Sequence, residues 1–346
     1  MDRPQRRARR AVPDLAAALA PFVALAGSVL PPDRRDAMIA AACLIAPWTV
    51  HPDGENVGGA LCADGTPLEA SLAFDRHGDI ELRLVGDVGA GIAAHDPHER
   101  RRQVAERCAR LAGPGEAGAQ VGDLAARHLE GRPPGARALA FVGVGASATR
   151  PFHRMFYFSF EGLLPAAAQA LMAQHLEPAL VARLWSMAGV AAGRVQGVGY
   201  DLDGECVTKV QLYARMAIGA GQDFRELLAP CGEADLAACA DLMSAMLLPP
   251  RARSAHHLVG LGVAKDGGAA TRIAPRLYAP LAAHGIDRFA ALGPAWSALA
   301  SRWRAPVPEV IGLASACTPT MLSASSTSGS ERCAIYFSIG GPARSG

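Results

Sequence analysis

Several short stretches of this chain place cations and phenols at alternate positions, as one face of a β-strand presents them. KVQLYAR at Lys209–Arg215 sets Lys209, Gln211, Tyr213 and Arg215 against Val210, Leu212 and Ala214. RIAPRLY repeats the theme with Arg272, Arg276 and Tyr278, and RCAIYFS with Arg332 and Tyr336. ELRL adds Glu81 and Arg83 opposite Leu82 and Leu84, and HRMFYFSF adds His153, Met155 and Tyr157 opposite Phe156, Phe158 and Phe160. Gathered in one enclosure, Arg83, Lys209, Arg215, Arg272, Arg276 and Arg332 would be costly without a counter-charge. A diphosphate suits such a cluster, because arginine forks and a lysine point charge both bind phosphate oxygens. The competing reading is that these cations pair with Asp79, Glu81, Glu161 or Asp201 and only hold strands together.

The phenols narrow the chemistry. The chain has five tyrosines, and Tyr157, Tyr213, Tyr278 and Tyr336 take matching places on four such stretches. Ring faces around one point stabilise a carbocation and keep out the water that would quench it.

The elements that would have to position these groups recur five times. Pairs of β-rich runs lie near 58–86, 139–161, 195–216, 256–279 and 308–340, a period of roughly 55–80 residues. DRHGD, DLDGE, KDGG and SASSTSGS supply the turns. Helical spacing fills the gaps at 99–111, 121–129, 165–174, 178–187, 234–247 and 288–302, and a first amphipathic helix follows the basic start. The expected fold class is therefore α+β: a ten-stranded antiparallel β-barrel with helices outside. The apolar faces turn outward to the helices, and the polar-aromatic faces line a solvent-filled lumen.

Composition agrees. With 346 residues, 50% of them hydrophobic, the chain can bury a large core. Residues 1–12 are expected to be a basic flexible tail and 13–346 one barrel domain. A net charge of +2 argues against a nucleic-acid partner, and no apolar run reaches the roughly 18 residues that span a bilayer. Cys43, Cys62, Cys108, Cys206, Cys231, Cys239, Cys317 and Cys333 show no metal or disulfide spacing, so they are expected to be reduced thiols of a cytoplasmic protein. His95 and His98 lack a third ligand, and the spaced glycines of VGVGAS and GVGYD sit inside strands rather than opening a nucleotide loop.

These residues resemble the ABBA-type aromatic prenyltransferases, whose PT barrel is built from five α-β-β-α units, and most of all the dimethylallyltryptophan synthase branch. The likeness covers essentially the whole chain after the basic start. GTPLEASLAF carries a Pro-x-Glu-x-Ser stretch, and the resemblance makes Glu69 the group that accepts the indole N–H proton and Arg83 a diphosphate ligand. KVQLY matches a cation-x-cation-x-Tyr strand with Gln211 in the middle place, and Arg276 with Tyr278 stands for a Gln-x-Tyr pair. Where a Lys-x-Tyr pair is expected the chain has Met155 and Tyr157, with His153 or Arg154 as substitute cations. In the fifth unit one tyrosine, Tyr336, is present where two are usual, with Arg332 on the same face.

The resemblance implies transfer of a dimethylallyl group to an indole or tryptophan-type acceptor. The diphosphate would be held by Arg83, Lys209, Gln211, Arg276, Arg215 and His153, the cation shielded by Tyr157, Tyr213, Tyr278 and Tyr336, and the acceptor seated beside Leu68 and Met155. No metal is expected to be required, since no aspartate-rich run is present; magnesium at Asp75 or Asp79 is the alternative. The alternatives in function are a phenol or cyclic-peptide side chain as acceptor, or a non-catalytic barrel that binds a hydrophobic ligand. A monomer is expected, as are enzyme substrates rather than macromolecular partners.

Overall fold

The computed structural model describes residues 15–49, 61, 66–90, 92, 96–130, 132, 140–192, 194–204, 206–229, 234–247, 250, 254–266, 269–288, 291–292, 317–327 and 330–339. Ten strands form one antiparallel sheet: β1 Leu68–Asp75, β2 Ile80–Asp87, β3 Ala140–Ser147, β4 His153–Ser159, β5 Arg194–Asp203, β6 Cys206–Ile218, β7 Ser254–Asp266, β8 Ala269–Pro280, β9 Thr318–Thr327 and β10 Ser330–Ser338. Each pairs with its neighbours in chain order, and β10 pairs with β1 to close the barrel. Closure leaves no free edge, so every strand spends its backbone groups inside the sheet.

The helices are α1 Leu15–Val29, α2 Pro32–Ile45, α3 Pro97–Ala112, α4 Glu116–Leu129, α5 Pro165–Met172, α6 Pro178–Ala192, α7 Phe224–Leu228 and α8 Ala234–Met246. They pack on the outside: α2 meets β2 and β3, α6 meets β5, β6 and β7, and α8 meets β8 and β9. The main core is therefore an annulus between helices and sheet. Leu72, Leu82, Leu84, Val142, Phe156, Phe158, Val210, Leu212, Leu261, Leu277, Ile335 and Phe337 are fully buried there against Phe22, Met38, Ile45, Cys108, Leu184 and Met243. Period-2 alternation forces the remaining residues of the same strands inward, which makes the barrel polar within and apolar without.

Local chemistry explains several of the joins. The Asp96 carboxylate caps α3 by accepting from the His98 N–H at 2.9 Å, with Pro97 in the first helical turn. That is what the Asp-Pro-His of the 95–98 stretch does; His95 lies outside the described residues. Asp75 and Asp79, the alternative magnesium residues, shape the first and second hairpins instead. Asp75 accepts from the N–H groups of His77 and Asp79, and Asp79 accepts from the hydroxyls of Ser147 and Thr149.

Some expectations are corrected here. The SASSTSGS stretch is mostly strand: β9 runs to Thr327, and only 328–329 separate it from β10. Arg272 does not enter the lumen but is half exposed and paired with Asp235 of α8 at 2.6 Å. Arg154 faces outward, where it donates to the Leu111 carbonyl at 2.9 Å, and so cannot substitute for a lumen cation. Helix α2 was not read from the sequence because its polar and apolar residues lack a clean helical stripe, yet its Arg34 clamps the β3–β4 turn by donating to the carbonyls of Ala148 and Arg150 at 2.7 and 2.9 Å. Residues 1–12 and most of 288–302 lie outside the described residues.

An inside-out core makes a directional prediction. Phe158→Ala, on the outer face, should lower unfolding free energy by about 3–5 kcal/mol, whereas Met155→Ala, on the lumen face three residues away, should cost less than about 1.5 kcal/mol. Chemical denaturation of both variants checks this.

Candidate active site

A cavity of about 270 Å³ lies within the barrel and is lined by Glu69, Arg83, Met155, Tyr157, Tyr213, Tyr278 and Tyr336, with Phe141, Leu258 and Met321 completing its apolar wall. All four expected shielding tyrosines thus meet in one space. They form a chain of rings: Tyr157 to Tyr213 at 5.3 Å edge-on, Tyr213 to Tyr278 at 5.8 Å, and Tyr278 to Tyr336 at 6.1 Å between centroids. Phe141 stacks on Tyr157 at 5.3 Å and extends the ring wall. Burial pushes the phenols of Tyr157, Tyr213 and Tyr336 up from their ordinary range, so they remain neutral and act as ring faces rather than as bases. A larger hollow of about 1400 Å³ lies outside the barrel between α3 and α4, away from these groups.

Beside the rings sits a layer of charge. Arg83 donates through Nε to Glu81, which is fully buried, and Arg332 donates through Nη2 to the other Glu81 oxygen at 2.5 Å. His153 Nε2 and Arg150 Nη1 stand 3.6 Å from the same carboxylate. Burial works against the Glu81 carboxylate, but Arg83 and Arg332 overcome it and hold the group well below its ordinary range. Lys209 lies 3.9 Å from Asp201. Burial, with Arg276 and Arg83 adding repulsion, outweighs the attraction of Asp201 and brings the Lys209 ammonium down to about 8. Arg276 pairs with no carboxylate among the described residues and interacts with Tyr278, Arg83 and Tyr336. Gln211 donates to the Tyr278 hydroxyl at 3.0 Å and so fixes the ring nearest Arg276. The competing sequence reading holds for Arg83, Lys209 and Arg332, which do have carboxylate partners, yet the layer keeps an excess of positive charge.

Glycines make room for this machinery. The inward positions of β3, β5 and β7 include Gly143 and Gly145, Gly197 and Gly199, and Gly260 and Gly262. A Cβ at Gly145 would come within 2.7 Å of the His153 ring, one at Gly197 within 2.6 Å of the Tyr157 hydroxyl, and one at Gly262 within 2.8 Å of Lys209 Cε. One at Gly199 would meet the Tyr213 ring, and one at Gly260 would meet Gln211 and the Tyr278 ring, at 3.1 Å in both ring cases. Each functional side chain of β4, β6 and β8 therefore lies flat over a bare stretch of its neighbour. The spaced glycines of VGVGAS and GVGYD owe their place to this close packing.

Glu69 lines the same cavity, on β1, where the Thr320 hydroxyl donates to its Oε1 at 2.6 Å. Thr320 was not found from the sequence. A register shift between Tyr336 and Phe337 in the β9–β10 pairing breaks the strict alternation on which a strand reading depends. Two expected site residues fall elsewhere. Leu68 precedes Glu69 and so faces outward into the annular core, beside Ile45 and Gly86, rather than into the acceptor space. Arg215 is carried one turn of the pleat beyond Tyr213 and lines an adjoining space of about 460 Å³ with Arg194 and Gln196, apart from the other cations. There Gln196, with its carbonyl turned toward Arg215, accepts from Nε at 2.8 Å and Nη2 at 2.7 Å.

Comparison with solved structures places this geometry. A 5-dimethylallyltryptophan synthase from Streptomyces coelicolor matches 96% of this chain and 99% of its own, with a TM-score of 0.68 at 13% sequence identity. A 6-dimethylallyltryptophan synthase from Micromonospora olivasterospora, solved in complex with DMASPP and Trp, matches 94% and 97% with a TM-score of 0.65 at 15% identity. The prenyltransferase PriB, in a ternary complex with L-tryptophan and dimethylallyl thiolodiphosphate, matches 94% and 96% with a TM-score of 0.65 at 14% identity. This chain shares their fold. No family model and no curated relative matches it by sequence.

Two measurements with inorganic diphosphate test the charge layer. Because Lys209 is charged below about pH 8 and neutral above it, affinity in the native protein should fall as pH rises through 8 relative to Lys209→Arg, whose guanidinium stays charged. Gly262→Ala should displace the Lys209 ammonium while the chain still folds, weakening diphosphate binding about 3- to 10-fold with a stability change under about 1.5 kcal/mol. Calorimetric titration and thermal melts read both.

Proposed function

We propose that this chain is an aromatic prenyltransferase, transferring a dimethylallyl group from dimethylallyl diphosphate to an indole or tryptophan-type acceptor by Friedel–Crafts alkylation. One observation carries this reading: a single cavity is bounded by the carboxylates of Glu69 and Asp201, by four tyrosine rings and by Arg83 of the cation layer. The fold shared with tryptophan prenyltransferases supports it.

In this reading Arg83, Lys209, Arg276 and Gln211 receive the diphosphate and neutralise the charge that grows as the allylic C–O bond breaks, and His153 supports them through Glu81. Tyr157, Tyr213, Tyr278 and Tyr336 enclose the allyl cation. An aromatic carbon of the acceptor forms the new C–C bond, diphosphate departs, and the ring loses one proton to recover aromaticity. Glu69, held by Thr320, accepts the acceptor's N–H as a hydrogen bond and raises the nucleophilicity of the ring, and Met155 packs beside it. The cations do the electrostatic work that a divalent metal would do, so we propose a metal-independent enzyme. We further propose a cytoplasmic, monomeric, single-domain protein of secondary metabolism whose products are prenylated alkaloids. Free thiols at Cys43, Cys108, Cys206, Cys239, Cys317 and Cys333 accord with a reducing compartment, and no helix among the described residues is long and apolar enough to cross a membrane.

Purified protein incubated with dimethylallyl diphosphate and a panel of tryptophan, indoles, phenols and cyclic peptides should add one prenyl group to the indole members, as read by mass spectrometry, and should do so equally in EDTA. Prenylation confined to phenols or peptides would move the acceptor class; tight ligand binding without transfer would make the barrel a carrier. Glu69→Gln should lower kcat about 10²- to 10³-fold while inorganic diphosphate still binds.

A further inference from the structure

Arg332 is the cation that the resemblance does not account for, on the same face of β10 as Tyr336. Its side chain is buried, with 7% of the residue exposed, and its Nε, sealed from solvent, has no acceptor among the described residues. Among the described residues its hydrogen bond is from Nη2 to Glu81, while the other Glu81 oxygen takes Nε of Arg83. Glu81 thus grips two guanidinium groups by one N–H group each. Arg332 and Arg83 sit on β10 and β2, the two strands that flank β1, and Arg332 also feels the charges of Arg276 and Arg150. Among the described residues, the carboxylates paired with Arg83, Lys209 and Arg332 are Glu81 and Asp201, and Arg276 has none.

A buried guanidinium N–H left without an acceptor is costly, and so is an excess of like charge in a space of low dielectric. One ligand chemistry answers both, a polyanion with several acceptor oxygens. We propose that Arg332 is a further diphosphate ligand, contributed by the fifth repeat, and that Glu81 holds it beside Arg83 as two halves of one phosphate clamp. This rests on the reading of the barrel as a diphosphate site and adds one more anchor on the leaving group.

The experiment is calorimetric titration of the full-length chain with inorganic diphosphate, using Arg332→Gln, Glu81→Gln and the double variant, each with a thermal melt. Arg332→Gln should weaken binding about 10- to 100-fold, and the same factor should separate the double variant from Glu81→Gln, because a ligand acts on the anion directly. If the Arg332 effect vanishes in the Glu81→Gln background, or if Arg332→Gln lowers the melting temperature while binding matches the native protein, Arg332 serves only as a counter-ion and the proposal falls. If the native protein itself fails to bind diphosphate, the reading of the whole barrel falls with it. The double variant removes both charges together, so it leaves no unpaired carboxylate to unfold the barrel.

Discussion

Like charges confined inside a closed sheet are the constraint on which this molecule turns. Arg83, Lys209, Arg276 and Arg332 repel one another where water screens them only in part, and burial, with Arg276 and Arg83 adding repulsion, lowers the Lys209 ammonium range. Two devices hold them there. Glu81 and Asp201 offset part of the charge, and the annular core of Leu, Val and Phe between sheet and helices stabilises the barrel whatever its lumen contains. Because the hydrophobic term comes from the outer face, the inner face is free to be chosen for chemistry.

Strands divide the labour. On β4, β6 and β8 the inward positions carry working side chains; on the intervening β3, β5 and β7 two neighbouring inward positions are glycines, so that a long side chain can lie along the wall instead of filling the lumen. Without that alternation ten strands' worth of inward side chains would leave no cavity. The glycines thus set the position of Lys209, Gln211, Tyr157, Tyr213 and Tyr278 as directly as any hydrogen bond does.

Charge and rings meet around one cavity. Arg83 and Tyr336 both stand opposite Ser71 on the two strands that flank β1, and Glu69, held by Thr320, is two residues further along β1. That arrangement suits a reaction in which negative charge leaves, positive charge is spread over rings and a proton is drawn off. Glu81, locked among cations, is kept from competing for the role proposed for Glu69.

The five repeats, the closed antiparallel barrel, the outward turn of Phe156, Phe158, Val210 and Leu212, and the meeting of Tyr157, Tyr213, Tyr278 and Tyr336 were all determined by the sequence itself. They follow from period-2 alternation repeated in every second strand, a pattern that survives without knowledge of neighbours. What lay beyond it depends on contacts between residues far apart in the chain. Arg215 and Arg276 look alike in their strands, but the lengths of β5 and β6 carry one into an adjoining space and leave the other in the charge layer. Arg272 lost its lumen place to Asp235 on a helix; Thr320 gained its place through a bulge that alternation cannot foresee; and Leu68 turned outward because Glu69 turned in. Which cation meets which carboxylate is decided by distance through space, and only the closed barrel sets those distances.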